Sequence, residues 1–231
     1  MEASVKHGKR TIKAQHITTL KHSCRCRNKQ NINLKNTIMP NWCNTSYVIE
    51  GDVEEVKSLY ETMKELQERE TPLVKNDFGK TWLGCLVTAL GGDWNDIYCR
   101  GDWSDLEMIE DTLRFSTQTA WGVCDEVFDF ICEKFPSLSC LYQSEESGMA
   151  EYWTNDVEGK YFTDKYIVNL YTPDGEYEEE RFTDLSRVFE YLEEISGQSV
   201  KSKQDISALV ERWQKENEDA FCNIIEYQIE K

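Results

Sequence analysis

The chain has 231 residues, 39% of them hydrophobic and 12% aromatic, including seven Trp and eleven Tyr; that is enough apolar area for a packed core and excludes global disorder. Residues 1–38 hold nine Lys/Arg against Glu2 alone, a net of +8, whereas residues 39–231 hold seventeen Lys/Arg against forty-two Asp/Glu, a net of −25. A body so charged repels polyphosphate backbones, which excludes direct nucleic-acid binding by the body and leaves basic surfaces, cations or neutral ligands as partners.

The first 38 residues are polar and basic, without periodicity and without the apolar run of a secretory signal. Two readings stand: a disordered arm that touches nucleic acid or anionic lipid, or an upstream extension foreign to the natural protein. The second is favoured, because Met39 directly precedes the first structural segment. His22-x-Cys24-x-Cys26 offers three soft ligands, but their alternate spacing and the lack of a second pair argue against a structural zinc site.

From Met39 onward the expected organisation is a single acidic α+β domain, 39–231. Residues 44–50 read as a strand ending at Gly51. Asp52 starts a helix with Glu55 placed as in a capping box, and Val53, Val56, Leu59, Tyr60, Met63 and Leu66 form its apolar stripe to about residue 69. Trp82, Leu83, Leu86, Val87 and Leu90 fit a short helix or buried segment. The Gly-Asp-Trp triplets at 92–94 and 101–103 then mark irregular surface chain. A strand is expected around Leu113–Thr117, a helix at 122–134 stopped by Pro136, and a strand from Leu138 to Glu145. Tyr166, Val168 and Leu170 form another strand, joined through the turn Thr172-Pro173-Asp174-Gly175 to residues 176–182. Two helices follow, one ended by Gly197 and one beginning near Ser202, and residues 221–229 make a last strand. Helices on one face of a mostly antiparallel sheet would bury these stripes.

Within this frame, Met39-Pro40-Asn41-Trp42-Cys43-Asn44 before a strand and Gly51 resembles the opening of the YubB-type ferredoxin-like domain family. Phe115 to Trp121 with Thr119-Ala120-Trp121, Phe135-Pro136, and Glu145-Glu146-Ser147-Gly148 continue the likeness over about 39–150. That family belongs to phages, plasmids and mobile elements, and its function is unknown. The resemblance implies a split βαβ sheet with two helices on one face and supports Met39 as the natural start; it implies no reaction.

All three His lie in residues 1–38, so Ser-His-Asp, Cys-His and His-ligated zinc chemistry have no His in the body to use. Nine Cys without a repeated CxxC pair read as free buried thiols of a reducing, cytoplasmic compartment. No stretch approaches 18 apolar residues, no phosphate-binding Gly motif appears, and no cofactor or membrane association is expected.

The candidate surfaces are three. Trp42 and Trp121 with Asn41 or Asn44 would line a pocket, or else close the core at the strand ends. Trp94 and Trp103, interleaved with Asp93, Asp96, Asp102 and Asp105, would engage a basic protein or a sugar, or else anchor an ordered loop. Glu145 and Glu146, with Asp156 and Glu158, would bind a divalent cation if they converge. The leading expectation is a non-enzymatic interaction protein that meets a basic protein partner through an acidic, aromatic-studded surface, even presenting carboxylates where a nucleic-acid-binding protein expects phosphates. The alternative is a carboxylate-based metal-dependent enzyme.

Overall fold

A computed structural model describes residues 40–230; Met39, the two readings of the leader and the His22-Cys24-Cys26 ligand set lie outside these residues. Strand β1 (Trp42–Glu50) leads into helix α1 (Val53–Glu68). Asp52 caps that helix, its carboxylate accepting from the N–H groups of Glu54 and Glu55. The expected capping box is rebuilt around a distant residue. Glu55 does not reach back to the Asp52 N–H; the Ser137 hydroxyl accepts from that N–H at 2.9 Å and itself donates to Glu55 at 2.7 Å. The start of α1 is thereby fastened to the corner before the fourth strand.

After the short helix α2 (Leu83–Ala89) come β2 (Gly101–Ile109), β3 (Thr112–Ala120), α3 (Asp125–Lys134) and β4 (Ser139–Glu146). The four strands lie in the order β2-β3-β1-β4, all antiparallel, with β3 inserted between β1 and β2. This is the ferredoxin-like split βαβ arrangement, elaborated by α2. Tyr47 of β1 stacks on Phe128 of α3 at 4.0 Å between ring centroids, so odd-numbered residues of β1 face the helices. Ile49, Val56, Leu59, Met63, Leu86, Leu113, Phe115 and Ile131 complete that core.

Two features depart from the expected organisation. Residues 101–109 form a strand rather than irregular chain: Gly101 and Trp103 point inward, Asp102 and Ser104 outward, and a bulge between Ser104 and Glu107 breaks the alternation. The C-terminal elements also do not share one sheet with the rest. β6 (Tyr166–Tyr171), β7 (Tyr177–Phe182) and β8 (Phe221–Glu226) form a separate sheet ordered β7-β6-β8. Helices α4 (Leu185–Ser196) and α5 (Lys203–Glu216) bury their stripes against it through Val168, Leu170, Val188, Leu192, Leu209 and Trp213. The large sheet gains β5 (Glu151–Thr154) beside β4 and β9 (Gln228–Ile229) parallel to β5. Tyr152, Ile167 and Tyr227 pack where the two sheets meet. Among the described residues, no helix is long and apolar enough to cross a membrane.

Candidate functional site: the open face of the large sheet

The helices cover one face of the β2-β3-β1-β4 sheet, and the even-numbered residues of β1 point to the other. Across that second face the register sets side chains in rows. One row runs Glu145, Asn44, Gln118, Asp102; the next runs Gln143, Ser46, Ser116, Ser104. Residues directly opposite in adjacent strands share a face and touch, so each row is one continuous polar strip. Together they floor a concavity of about 490 Å³. Gln118 donates to the Asn44 side-chain oxygen at 3.3 Å, which fixes the middle of the first row.

Its borders are built by other elements. On the β4 side Arg181 of β7 reaches Glu145 with both nitrogens, at 2.6 and 3.3 Å, and donates to the Tyr227 hydroxyl at 2.8 Å, while that hydroxyl bonds Glu145. Burial alone would raise the Glu145 carboxyl, but the Arg181 guanidinium and the Tyr227 hydroxyl outweigh it and hold the group below its ordinary range. One end of the face is closed by the segment after β5: Lys160 and Tyr161 bond Glu50, and Arg114 lies over the Tyr161 ring at 5.8 Å. Gln143 is held from the same side, donating to the Asp164 carbonyl at 2.9 Å. On the β2 side the bulge places Asp105 at a φ of 54°, with Ser104 donating to its carboxylate at 2.7 Å.

Asp102 differs from the other carboxylates here. It is half-buried on the floor, burial pushes its carboxyl above the ordinary Asp range, and among the described residues no cation lies beside it. A carboxylate partly withdrawn from water without a counter-charge is a cost to the free protein that an incoming cation would offset.

The expected site residues divide accordingly. Asn44, Glu145 and Asp102 come together in the concavity. Trp42, 38% exposed, continues the same face one position beyond Asn44. Trp121 is 43% exposed at a φ of 70°, its N–H bonded to the Asn41 carbonyl. Trp42 and Trp121 make no ring contact with one another among the described residues. The Asn41 side chain lies against Gly148, where a Cβ would sit 2.6 Å from its Nδ2. Trp94 is half-exposed and anchors its turn edge-on against Trp82 at 5.1 Å. Trp103, expected at the surface, is 2% exposed and belongs to the core, because its inward strand position puts it under the helices.

The carboxylates at 145–158 do not converge. Glu145 and Glu146 are adjacent in β4 and therefore face opposite ways. Glu146 is buried and accepts from the N–H groups of Gly148 and Met149. Asp156 is buried and accepts from those of Lys160, Tyr161 and Phe162. Among the described residues no group of three His, Cys, Asp or Glu side chains is arranged to hold a metal ion.

Comparison with protein-family models, curated proteins and solved structures finds no match to this chain. The site is therefore read from its own geometry. Thr45, Ser46, Ser104, Ser116, Thr117, Gln118 and Gln143 also line it and were not singled out from the sequence as site residues; for Ser46, Ser116 and Gln118 the signal was the alternation of polar with apolar residues along β1 and β3.

Proposed function

We propose that this chain is a non-enzymatic interaction protein whose open sheet face receives arginine or lysine side chains of a basic protein partner. The observation that carries this reading is Asp102, half-buried on a polar floor with no cation beside it. Asp105 at the bulge and the amides of Asn44 and Gln118 supply further acceptors around it, so a guanidinium would find both charge and hydrogen bonds. The net charge of −25 over residues 39–231 steers a basic surface toward the face.

A four-stranded sheet that binds nucleic acid on its open face presents aromatic stacking platforms and cations there. The floor here is Asn, Gln, Ser, Asp and Glu, Trp42 is a single aromatic at its margin, and the bordering Arg181 and Lys160 are paired with Glu145 and Glu50, so the reading does not extend to direct nucleic-acid binding. Membership of the YubB-type family is part of the same proposal, supported by the opening hexapeptide, Thr119-Ala120-Trp121 and the split βαβ sheet.

The test is capture with the full chain followed by zero-length carboxylate–amine crosslinking. A basic protein should be retained, released as salt rises, crosslinked through Asp102 or Asp105, and lost from the Asp102→Asn/Asp105→Asn double variant. Retention unchanged by that double substitution refutes the proposal.

A further inference from the structure

Seven cysteines fall within the described residues, and two of them face each other. Cys132 of α3 and Cys140 of β4 have their sulfurs 3.5 Å apart, and neither is fully buried. The others are placed differently. Cys43, Cys85, Cys99 and Cys124 are buried, and the sulfurs of Cys43, Cys85 and Cys99 hydrogen-bond oxygen or amide partners. Burial raises the Cys99 and Cys222 thiols to about 11, which leaves almost no thiolate at neutral pH.

We infer that Cys132 and Cys140 are a redox-active dithiol, a modification site at which a hydroperoxide forms a reversible disulfide between α3 and β4. The site stands apart from the open sheet face, and the inference does not depend on the binding proposal. A disulfide needs its sulfurs at about 2.05 Å, so the pair must close by about 1.5 Å. The chemistry of the pair is divided. The hydrogen bond shared with Cys140 brings the Cys132 thiol below its ordinary value, outweighing burial and the nearby Asp129 carboxylate, which both oppose the thiolate. The Cys140 thiol is pushed up by the same contact and by burial. Cys132 is thus the attacking sulfur and Cys140 the resolving one.

In the first step the Cys132 thiolate attacks one peroxide oxygen; the S–O bond forms, the O–O bond breaks, and the departing hydroxide takes a proton to become water. Cys132 is then a sulfenic acid. In the second step the Cys140 sulfur attacks Cys132; the S–S bond forms, the S–O bond breaks, and the hydroxyl leaves with the Cys140 proton as a second water. Two thiols are oxidised and one hydroperoxide is reduced. The bond closes around the Pro136–Ser137 corner, the same corner that holds the N-terminus of α1 through Ser137, Asp52 and Glu55.

The experiment treats the full chain with one equivalent of hydrogen peroxide, blocks remaining thiols and maps the peptides without reduction. The expected result is an intrachain Cys132–Cys140 peptide, an intact mass lower by two hydrogens, and recovery of both thiols with dithiothreitol. In Cys140→Ser the sulfenic acid at Cys132 should persist and be trapped by dimedone. Sulfinic acid at Cys132 without a linked peptide, links to other cysteines or between chains, or two unmodified thiols would each overturn the inference. The wild-type chain supplies the deciding peptide, so the result stands even where the serine variant folds poorly.

Discussion

Gly101 is where the Gly-Asp-Trp sequence, the edge of the sheet and the proposed site meet, and Gly101→Ala tests all three. A Cβ at this position would sit 2.4 Å from the Gln118 carbonyl oxygen and 2.8 Å from the Thr119 Cα, both backbone atoms that cannot turn aside. Carbon and carbonyl oxygen settle at about 3.3 Å, so β2 and β3 must part locally by about 0.9 Å. The adjacent bond from the Ala120 N–H to the Arg100 carbonyl, now 3.0 Å, lies in the path of that movement. Overpacking of this kind costs about 1–3 kcal/mol and a lost strand bond about 1, against a gain of about 0.5 from the stiffer unfolded chain. A net loss of about 2 kcal/mol is expected, and with a urea slope near 2 kcal/mol/M the midpoint falls by about 1 M. Gly92→Ala is the comparison from the other triplet: its Cβ meets side-chain rather than backbone atoms, Phe130 at 2.7 Å and the buried, β-branched Val87 at 2.9 Å; the Phe130 ring can turn aside while Val87 gives little, so a loss of about 1 kcal/mol is expected, smaller than at Gly101. A Gly101→Ala midpoint within about 0.3 M of wild type would refute the claim that glycine is required there for strand approach.

Asp156→Ala leaves three backbone N–H groups without their acceptor and should cost about 3 kcal/mol in urea unfolding. Burial works to raise the Asp156 carboxyl, but the N–H groups of Phe162, Tyr161 and Lys160 outweigh it and hold it below 3.8; its stabilisation is therefore full above that value and drains as pH falls through the lower folded-state value, and the variant should show no such loss in an acid titration. Arg181→Met, which strips Glu145 and Tyr227 of their shared partner, should cost about 1 kcal/mol and speed amide exchange in β7 and β8 before the rest of the body. Asp102→Asn should be more stable than wild type at neutral pH: a raised carboxyl favours the fold while protonated and loses that contribution as pH rises through its folded-state value, so the gap measured by thermal melting should close toward acid pH.

The ferredoxin-like half was legible because its signals are local. The stripe Val56, Leu59, Met63, Leu66 is buried, Asp52 caps α1, Gly197 closes α4 in the left-handed region, and Ser202 caps α5. β2 was hidden because Gly101 opens it and the bulge at Asp105 interrupts the period of two after four residues. β5 is only four residues long and owes its existence to neighbours on both sides, β4 and β9, far away in the chain. Which strands share a sheet is a tertiary fact, so the separation of β6, β7 and β8 left no mark on any single segment. The divergence of Glu145 and Glu146, by contrast, was available: two neighbours in a strand must face opposite ways.

What links the fold to the proposed function is an asymmetry between the sheet's two faces. Alternation along β1 sends Cys43, Thr45, Tyr47 and Ile49 into the helix-covered core, and the same alternation commits Trp42, Asn44 and Ser46 to the opposite side. A strand meant only to be solvated tolerates long charged side chains that hold themselves in water, as the edge strand β7 does with the exposed Glu179 and Glu180. The open face is different: short Ser, Asn and Gln side chains leave a depression, and Asp102 is sunk in it at some cost to stability. Arg181 and Arg114 already lie against Glu145 and Tyr161, so neither serves Asp102. A charge placed where the fold does not neutralise it is accounted for most directly by a cation that arrives from outside.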